Sequence, residues 1–260
     1  MMPEILKKAI KQPKKAARVL HHRILQRVNG QSQFKKVIVI GRARTGSNLL
    51  LSYLNSHPAI HMEGEIFAHQ RHKTEQQILK MVFNKQPQGI EAAGFKIFYH
   101  HPMDNKEQSK IWDILKADPS IHVIQLQRTN MLRMHISRKI AMQSDVWTAS
   151  KKSEVDKVKV KTISFTKAEL EEGFNKTKNW EANAQVDFAN HPMLQIEYEK
   201  MISNPEQEFR RLTDFLRVEA MAPETKLRKQ NPESLSNLIE NYAELKAAFA
   251  DTEWAVFFDE

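Results

Sequence analysis

The chain has 260 residues, with 40 Lys and Arg against 31 Asp and Glu, and it contains no cysteine. The lack of cysteine excludes disulfides, thiolate nucleophiles and Cys-ligated zinc, and it fits a reducing compartment. The composition, 41% hydrophobic and 27% charged, is that of a globular protein. No apolar stretch approaches the ~20 residues that span a bilayer. We therefore expect a globular protein, cytoplasmic or peripheral at a membrane surface.

The excess of positive over negative charge lies at the start of the chain. Residues 1–36 hold ten basic side chains and one acid, Glu4, which leaves 30 charges of each sign in residues 37–260. Leu20, Ile24 and Val28 recur there at helical spacing, and Pro13 predicts a break between two short helices. We divide the chain into a basic amphipathic arm, residues 1–36, and a main domain, residues 37–260. The arm either packs on the domain or makes peripheral contact with an anionic membrane.

The main domain begins with a strand signal. Lys36–Ile40 is a β-branched run suited to a buried strand, Gly41–Thr45 turns the chain, and Ser47–Asn55 is predicted to be helical. Three further strands and five helical patterns follow: strands at Gly94–Phe98, Ile121–Leu126 and Met193–Ile196, and helices near 74–84, 107–117, 129–143, 167–190 and 205–217.

Two helix starts have capping signals. Thr166 and Glu169 form a predicted capping box, and Asn231-Pro232 predicts a last helix running to about Ala250. Strands that alternate with helices indicate the α/β class. We expect a three-layer, P-loop-like fold with a central parallel sheet flanked by helices, and a ligand at the carboxyl ends of its strands.

The turn from Gly41 to Gly46 is the most informative segment. Its two glycines have the G-x-x-x-x-G spacing of a phosphate-binding loop between a strand and a helix, where backbone N–H groups converge on an anion. Ser47-Asn48 follows instead of Lys-[Ser/Thr], so the lysine and the Mg²⁺-binding hydroxyl of a Walker A loop are missing. The arginines inside the loop suit a nucleotide whose transferable group, such as a sulfuryl, has less charge than a γ-phosphoryl. A strand-to-helix turn with solvated arginines is the plainer alternative.

A second anion site is predicted after the strand Ile121–Leu126. Arg128 follows that strand at the edge where ligands bind, and Ser137 lies about two and a half turns into the next helix. The guanidinium and the hydroxyl could bind one phosphate together.

Taken in order, these motifs resemble the sulfotransferases that use 3′-phosphoadenosine 5′-phosphosulfate (PAPS). The resemblance spans roughly residues 35–255 and is strongest to bacterial carbohydrate-modifying members of the Nod-factor and trehalose type. The motifs that carry it are Gly41–Leu50, Asn55–Pro58, Glu63–Phe67, Arg128 with Ser137, Ile196–Glu199, Asn204-Pro205, Phe215-Leu216, Lys229–Leu235 and Asn241-Tyr242.

The resemblance implies a role for each matching residue. The loop would hold the 5′-phosphosulfate, Arg128 and Ser137 the 3′-phosphate, and a basic pair further on would close over the nucleotide. The interval from Arg128 to Ser137 is nine residues, against eight in many animal members. The implied nucleotide-binding residues are Arg42, Arg44, Thr45, Gly46, Ser47, Asn48, Arg128, Ser137, Arg228 and Lys229.

The resemblance also implies a catalytic set of Glu65, Lys96 and Arg44, with Glu65 as the general base. Lys96 would face the sulfuryl group, and a lysine within an apolar strand is costly unless it is paired. Glu63 or the pair His100-His101 could supply the base instead. We expect PAPS as the donor, no metal, and a hydroxyl-bearing small molecule, carbohydrate or glycolipid as the acceptor.

Two other functions stay open on the sequence alone. A P-loop kinase is disfavoured by Ser47-Asn48 and by the lack of an obvious acid after an apolar strand. A non-catalytic module that binds membrane or nucleic acid through the arm is the other alternative. Phe34 is the only aromatic residue of the arm, which argues against base stacking, and we expect no nucleic-acid partner.

Overall fold

The structure is a computed structural model. It describes residues 13–70, 73–144, 162–227 and 233–259, with side chains from Leu20 onwards.

The centre of the molecule is a five-stranded parallel sheet in the order β3-β5-β2-β6-β7. Two short strands, β1 and β4, form a separate antiparallel pair. The strands are β1 Gly30–Gln31, β2 Lys35–Gly41, β3 Ile60–Glu63, β4 Gln86–Pro87, β5 Ala92–Phe98, β6 His122–Gln127 and β7 Met193–Glu197.

The strand order reverses at β2. The chain places β3 and β5 on one side of β2 and then crosses to add β6 and β7 on the other side. In open parallel sheets such a reversal leaves a crevice at the carboxyl ends of the strands, where ligands bind. The loop that follows Gly41, and the residues that follow β5 and β6, meet at this crevice.

Helices cover both faces of the sheet, and a 3₁₀ turn lies near the end of the chain, at Ala255–Phe258. The helices are α1 Pro13–Val28, α2 Ser47–Leu54, α3 Glu75–Phe83, α4 Ile111–Lys116, α5 Met131–Ser144, α6 Lys167–Asp187, α7 Tyr198–Ser203, α8 Pro205–Leu216, α9 Leu235–Leu238 and α10 Tyr242–Phe249.

Alternation along β2 produces the two sides of the core. Val37 and Val39 pack in one cluster with residues of α2 and α8, whereas Ile38 and Ile40 pack in another with residues of α3 and α4. All four side chains are buried, as expected for a strand covered on both faces. The predicted α/β class, with a central parallel sheet flanked by helices, is confirmed.

Most predicted elements are present, including the capping box of Thr166 and Glu169 at the start of α6. The predicted last helix is wrong as a single element, because it is two helices, α9 and α10. Ile239 between them is extended and bridges Ile163, and Glu240 N donates to Ile163 O at 2.9 Å. Such pairing takes the backbone out of the helical path.

Other differences are smaller. The edge strand β3 was not predicted, and α4 begins at Ile111, later than the pattern indicated. The helix of the arm begins at Pro13, the residue at which a break was predicted. Residues 1–12, the cap Asn231-Pro232 and most of the alternating stretch 157–165 lie outside the described residues. Within the described ranges, no helix has both the length and the apolar character needed to cross a bilayer.

Candidate nucleotide-binding and catalytic site

The loop between β2 and α2 has the backbone of an anion-binding turn. Arg44 and Gly46 have left-handed φ angles of 73° and 89°, a conformation that is rare for arginine and common for glycine. Leu49 N and Leu50 N donate back to Gly46 O, so the N–H groups that precede them have no intrahelical acceptor. The Tyr198 ring fills the space that a Cβ on residue 46 would need. The start of α2 is therefore shaped to receive a phosphate group.

Lys96 connects this loop to the predicted base. It pairs with Val39 in the sheet register, and its Nζ lies 2.5 Å from Asn48 Oδ1, 3.2 Å from Ser47 Oγ and 3.0 Å from Glu65 Oε1. The Lys96 side chain is 4% exposed and that of Glu65 is 36% exposed. The cation is thus enclosed, whereas the carboxylate is partly exposed to solvent.

His101 faces the other oxygen of Glu65. Its Nδ1 accepts the Phe98 N–H at 3.3 Å, and its Nε2 lies 3.7 Å from Glu65 Oε2. Burial, together with the neighbouring His100 and Lys96, lowers the pKa of His101 to about 3. The ring is therefore neutral at ordinary pH, with its proton on Nε2 because Nδ1 is an acceptor. Glu65 is therefore paired with the Lys96 ammonium on one side, while the buried Nε2 of His101 beside it has no hydrogen-bond partner among the described residues.

The other candidate bases lie in different surroundings. Glu63 Oε1 accepts a hydrogen bond from His61 Nε2 at 3.3 Å, and this bond is the main reason why the pKa of Glu63 is lowered. His100 stacks against Phe98, and burial with Arg138 and Arg42 nearby lowers its pKa. Of the acidic candidates, it is Glu65 that contacts Lys96.

Arg44, Ser137 and Arg128 come together at the carboxyl ends of β2 and β6. Arg44 Nε donates to Ser137 Oγ at 2.9 Å, and Arg128 NH1 donates to Arg44 O at 3.1 Å. Burial and the charge of Arg128 lower the pKa of Arg44 to about 10, and burial lowers that of Arg128. Two guanidinium groups crowded away from water favour a bound anion.

Arg128 has donor capacity left for such an anion. Its Nε is buried and has no hydrogen-bond partner among the described residues. Glu199 Oε1 lies 3.8 Å away, and this carboxylate already accepts bonds from Thr129 N and Oγ1 at 2.9 and 2.7 Å. The Tyr198 ring lies against the guanidinium, 4.6 Å from its Cζ. A buried donor without a partner is costly, so these residues fit a nucleotide phosphate.

Arg42 points elsewhere. Its NH1 donates to Gly173 O at 3.0 Å and to Thr177 Oγ1, both on α6, and its Cζ lies 5.2 Å from the centre of the Trp180 ring. Burial, with Arg138 nearby, lowers its pKa to about 10. The structure thus brings Arg44 to Ser137 on α5 but directs Arg42 to α6, where it ties the loop to that helix.

The remaining sequence-predicted residues divide into two groups. Thr45 is buried, and its Oγ1 donates to Arg42 O at 2.7 Å, which closes the turn. Arg228 and Lys229 lie outside the described residues.

Across the described ranges, no cluster of three His, Cys, Asp or Glu residues could hold a metal ion.

Two residues that contact the site were not assigned a role from the sequence. Tyr198 and Glu199 belong to a motif that carried the resemblance, yet no role was assigned to either. Their contacts with Gly46, Arg128 and Thr129 depend on the packing of β7 beside β6. The position of this motif directly after a predicted strand was the available signal.

Known proteins with similar sequences cover most of the chain. It is 26% identical to nodulation protein H of Rhizobium tropici over an alignment of 241 residues that covers 85% of this chain and 92% of the relative. It is 24% identical to nodulation protein H of Rhizobium meliloti (strain 1021) over 236 residues, covering 85% of this chain and 94% of that protein. No family model matches the chain.

Among solved structures, a sulfotransferase from Alicyclobacillus acidocaldarius aligns with a TM-score of 0.48 at 18% identity, covering 86% of this chain and 93% of that one. The predicted resemblance to proteins of the nodulation type is confirmed, because both relatives are nodulation proteins H that align with most of the chain.

Proposed function

We propose that the protein transfers a sulfuryl group from PAPS to a hydroxyl of a carbohydrate or glycolipid, with Glu65 as the general base, and releases 3′,5′-adenosine bisphosphate (PAP). One observation carries the proposal: Lys96 joins Glu65 Oε1 to Asn48 and Ser47 of the phosphate-binding turn. A carboxylate held beside a phosphate-binding loop is the arrangement that deprotonation of an acceptor next to a bound donor requires.

Two parts of the crevice would hold the donor. The N–H groups at the start of α2, with Ser47 and Asn48, would bind the 5′-phosphosulfate. Arg128 and Ser137 would bind the 3′-phosphate, and the buried Nε of Arg128 supplies a donor for it. Arg44 lies between the two, since its backbone belongs to the loop and its side chain contacts Ser137.

In the transfer step, the acceptor oxygen attacks sulfur and its proton moves to a Glu65 carboxylate oxygen. The bond between sulfur and the oxygen that bridges to the 5′-phosphate breaks, and that oxygen leaves with the electron pair as part of PAP. The step needs no oxidant or reductant. As in phosphoryl transfer, positioning and electrostatic stabilisation supply most of the rate enhancement.

Lys96 would act on the leaving side of this step. Its ammonium has three donors, and in the structure they face Ser47, Asn48 and Glu65. Charge that develops on the bridging oxygen beside Ser47 and Asn48 would be stabilised by this cation. The neutral His101 ring lies beside this carboxylate, with its Nε2 3.7 Å from Glu65 Oε2, and adds no second charge to the site.

The acceptor class rests on the resemblance to Nod-factor-type sulfotransferases and on the partial exposure of Glu65 to solvent. A screen with radiolabelled PAPS across glycans, glycolipids and small alcohols tests both donor and acceptor. We expect label transfer to at least one sugar hydroxyl. Stabilisation by ATP with Mg²⁺ but not by PAP, measured by thermal shift, would contradict the proposal and favour a kinase.

A further inference from the structure

Helix α1 contacts the domain through polar side chains. The His22 ring stacks on His61 of β3 with 3.7 Å between ring centroids, and its Nε2 lies 3.0 Å from Gln86 Oε1. One turn further on, Gln26 Nε2 donates to Lys85 O at 2.5 Å. The partly buried side of the helix thus consists of His22, Gln26 and, beside them, Leu25.

The opposite side of α1 is apolar and exposed. Leu20, Ile24 and Val28 recur every fourth residue, and they are 61%, 50% and 79% exposed. Successive members of such a row lie ~6 Å apart along the helix. We call these three residues the apolar ridge. In a surface helix the apolar side usually faces inwards, whereas these three residues face outwards.

Basic side chains flank the apolar ridge. Arg23 and Arg27 are exposed, and each lies one residue before a member of the ridge, so both are on one flank of it. Residues 1–36 hold ten basic side chains and one acid, while the rest of the chain is formally neutral. A surface that binds this face should therefore be apolar within and negatively charged at its rim.

We propose that the apolar ridge of α1, with Arg23 and Arg27, is a docking surface for an anionic lipid bilayer. The three aliphatic side chains enter the boundary between headgroups and acyl chains, and the arginines contact lipid phosphates. A bilayer offers both the apolar layer and the negative rim. A second copy of this chain would instead oppose its own positive flank, which like-charge repulsion disfavours.

Co-sedimentation of the full chain with vesicles tests this surface. We expect binding to vesicles of phosphatidylcholine mixed with phosphatidylglycerol, and at least about tenfold weaker partitioning for the variant L20S/I24S/V28S, because the buried apolar area is lost. Val28→Ser and Val186→Ser form a matched pair, since the two valines are 79% and 78% exposed. The first substitution should weaken binding, and the second, on α6, should not.

Charge is tested separately with R23Q/R27Q. This variant should lose about tenfold or more in binding to the mixed vesicles, and added salt should weaken the parent protein in the same direction. Helical content by circular dichroism should match the parent in all variants.

Failure of the parent to bind the mixed vesicles, or unchanged binding by the triple variant, would overturn the proposal. A dimer in analytical ultracentrifugation that the triple variant abolishes would assign the ridge to a second copy and also overturn it.

Discussion

Lys96 Nζ lies 3.0 Å from Glu65 Oε1 and 2.5 Å from Asn48 Oδ1, so one buried cation contacts both the predicted base and the phosphate-binding loop. A buried ammonium requires a counter-charge and hydrogen-bond acceptors. Here the carboxylate supplies the first, and Asn48 with Ser47 supplies the second. The geometry therefore couples the position of Glu65 to the conformation of the loop.

Replacing Glu65 by Gln should lower kcat by about 10²- to 10⁴-fold, because the amide cannot accept the acceptor's proton. The amide oxygen can still accept a bond from Lys96, so PAP affinity should stay nearly unchanged. Steady-state kinetics and isothermal titration with PAP measure the two quantities. Glu63→Gln is the matched control and should keep turnover close to that of the parent, since Glu63 pairs with His61. Parent-like turnover of Glu65→Gln would disprove its role as base.

Replacing Arg128 by Ala should weaken PAP binding by about 10- to 100-fold, the loss expected for charge-assisted hydrogen bonds to phosphate. AMP lacks the 3′-phosphate, so its affinity should change much less. Titration with both nucleotides measures the difference. Arg133→Ala serves as the control. Arg133 is also an arginine, but its NH1 donates to Glu233 O and it has no assigned role in nucleotide binding. Equal losses for PAP and AMP would show that the 3′-phosphate binds elsewhere.

Replacing Gly46 by Ala should destabilise the fold by about 1–2 kcal/mol through its left-handed φ alone, and further because the new Cβ meets the Tyr198 ring. Gly89→Ala separates these effects, since Gly89 has a similar φ of 86° and no atom within 4 Å of its added Cβ. Urea unfolding should show a larger loss for Gly46→Ala than for Gly89→Ala. Equal losses would contradict the close packing of Tyr198.

Glu181 should make stability depend on pH. Burial raises its pKa from 4.5 to about 7, against the opposing effects of Arg42 and the hydrogen bond from Gln127. The folded state then binds the proton more tightly than the unfolded state, so stability should fall as pH rises from about 4.5 to 7, by at most about 3 kcal/mol. Glu181→Gln should flatten this part of the curve in urea unfolding at several pH values. An unchanged slope would show that Glu181 does not titrate in this window.

Local patterns account for much of the agreement between sequence and structure. The β-branched run that became β2 is buried on both faces. The two spaced glycines that follow it bound a turn, and this turn places the start of α2 at the crevice. Glu65 and Lys96 were both predicted as catalytic residues, although 31 positions separate them, because the resemblance implied both roles. Their contact follows from the parallel pairing of β3, β5 and β2.

Other features depended on contacts between distant segments. The direction of Arg42 towards α6 could not be read from a loop with two similar arginines, since the acceptors, Gly173 O and Thr177 Oγ1, lie more than 130 positions away. The break between α9 and α10 likewise depends on the bridge of Ile239 to Ile163. A helical pattern in the sequence contains no information about such a partner.

The sequence by itself determined most of the elements, the turn between Gly41 and Gly46 and the location of the excess positive charge in the first 36 residues, because these depend on neighbouring residues and on counting. Only the tertiary structure decided how side chains are used. It placed the side chain of Arg44 against Ser137 and that of Arg42 against α6, and it left Leu20, Ile24 and Val28 of α1 exposed. The physical reason is that hydrogen bonds and burial are satisfied by groups close in space, and strand order sets which distant residues become neighbours.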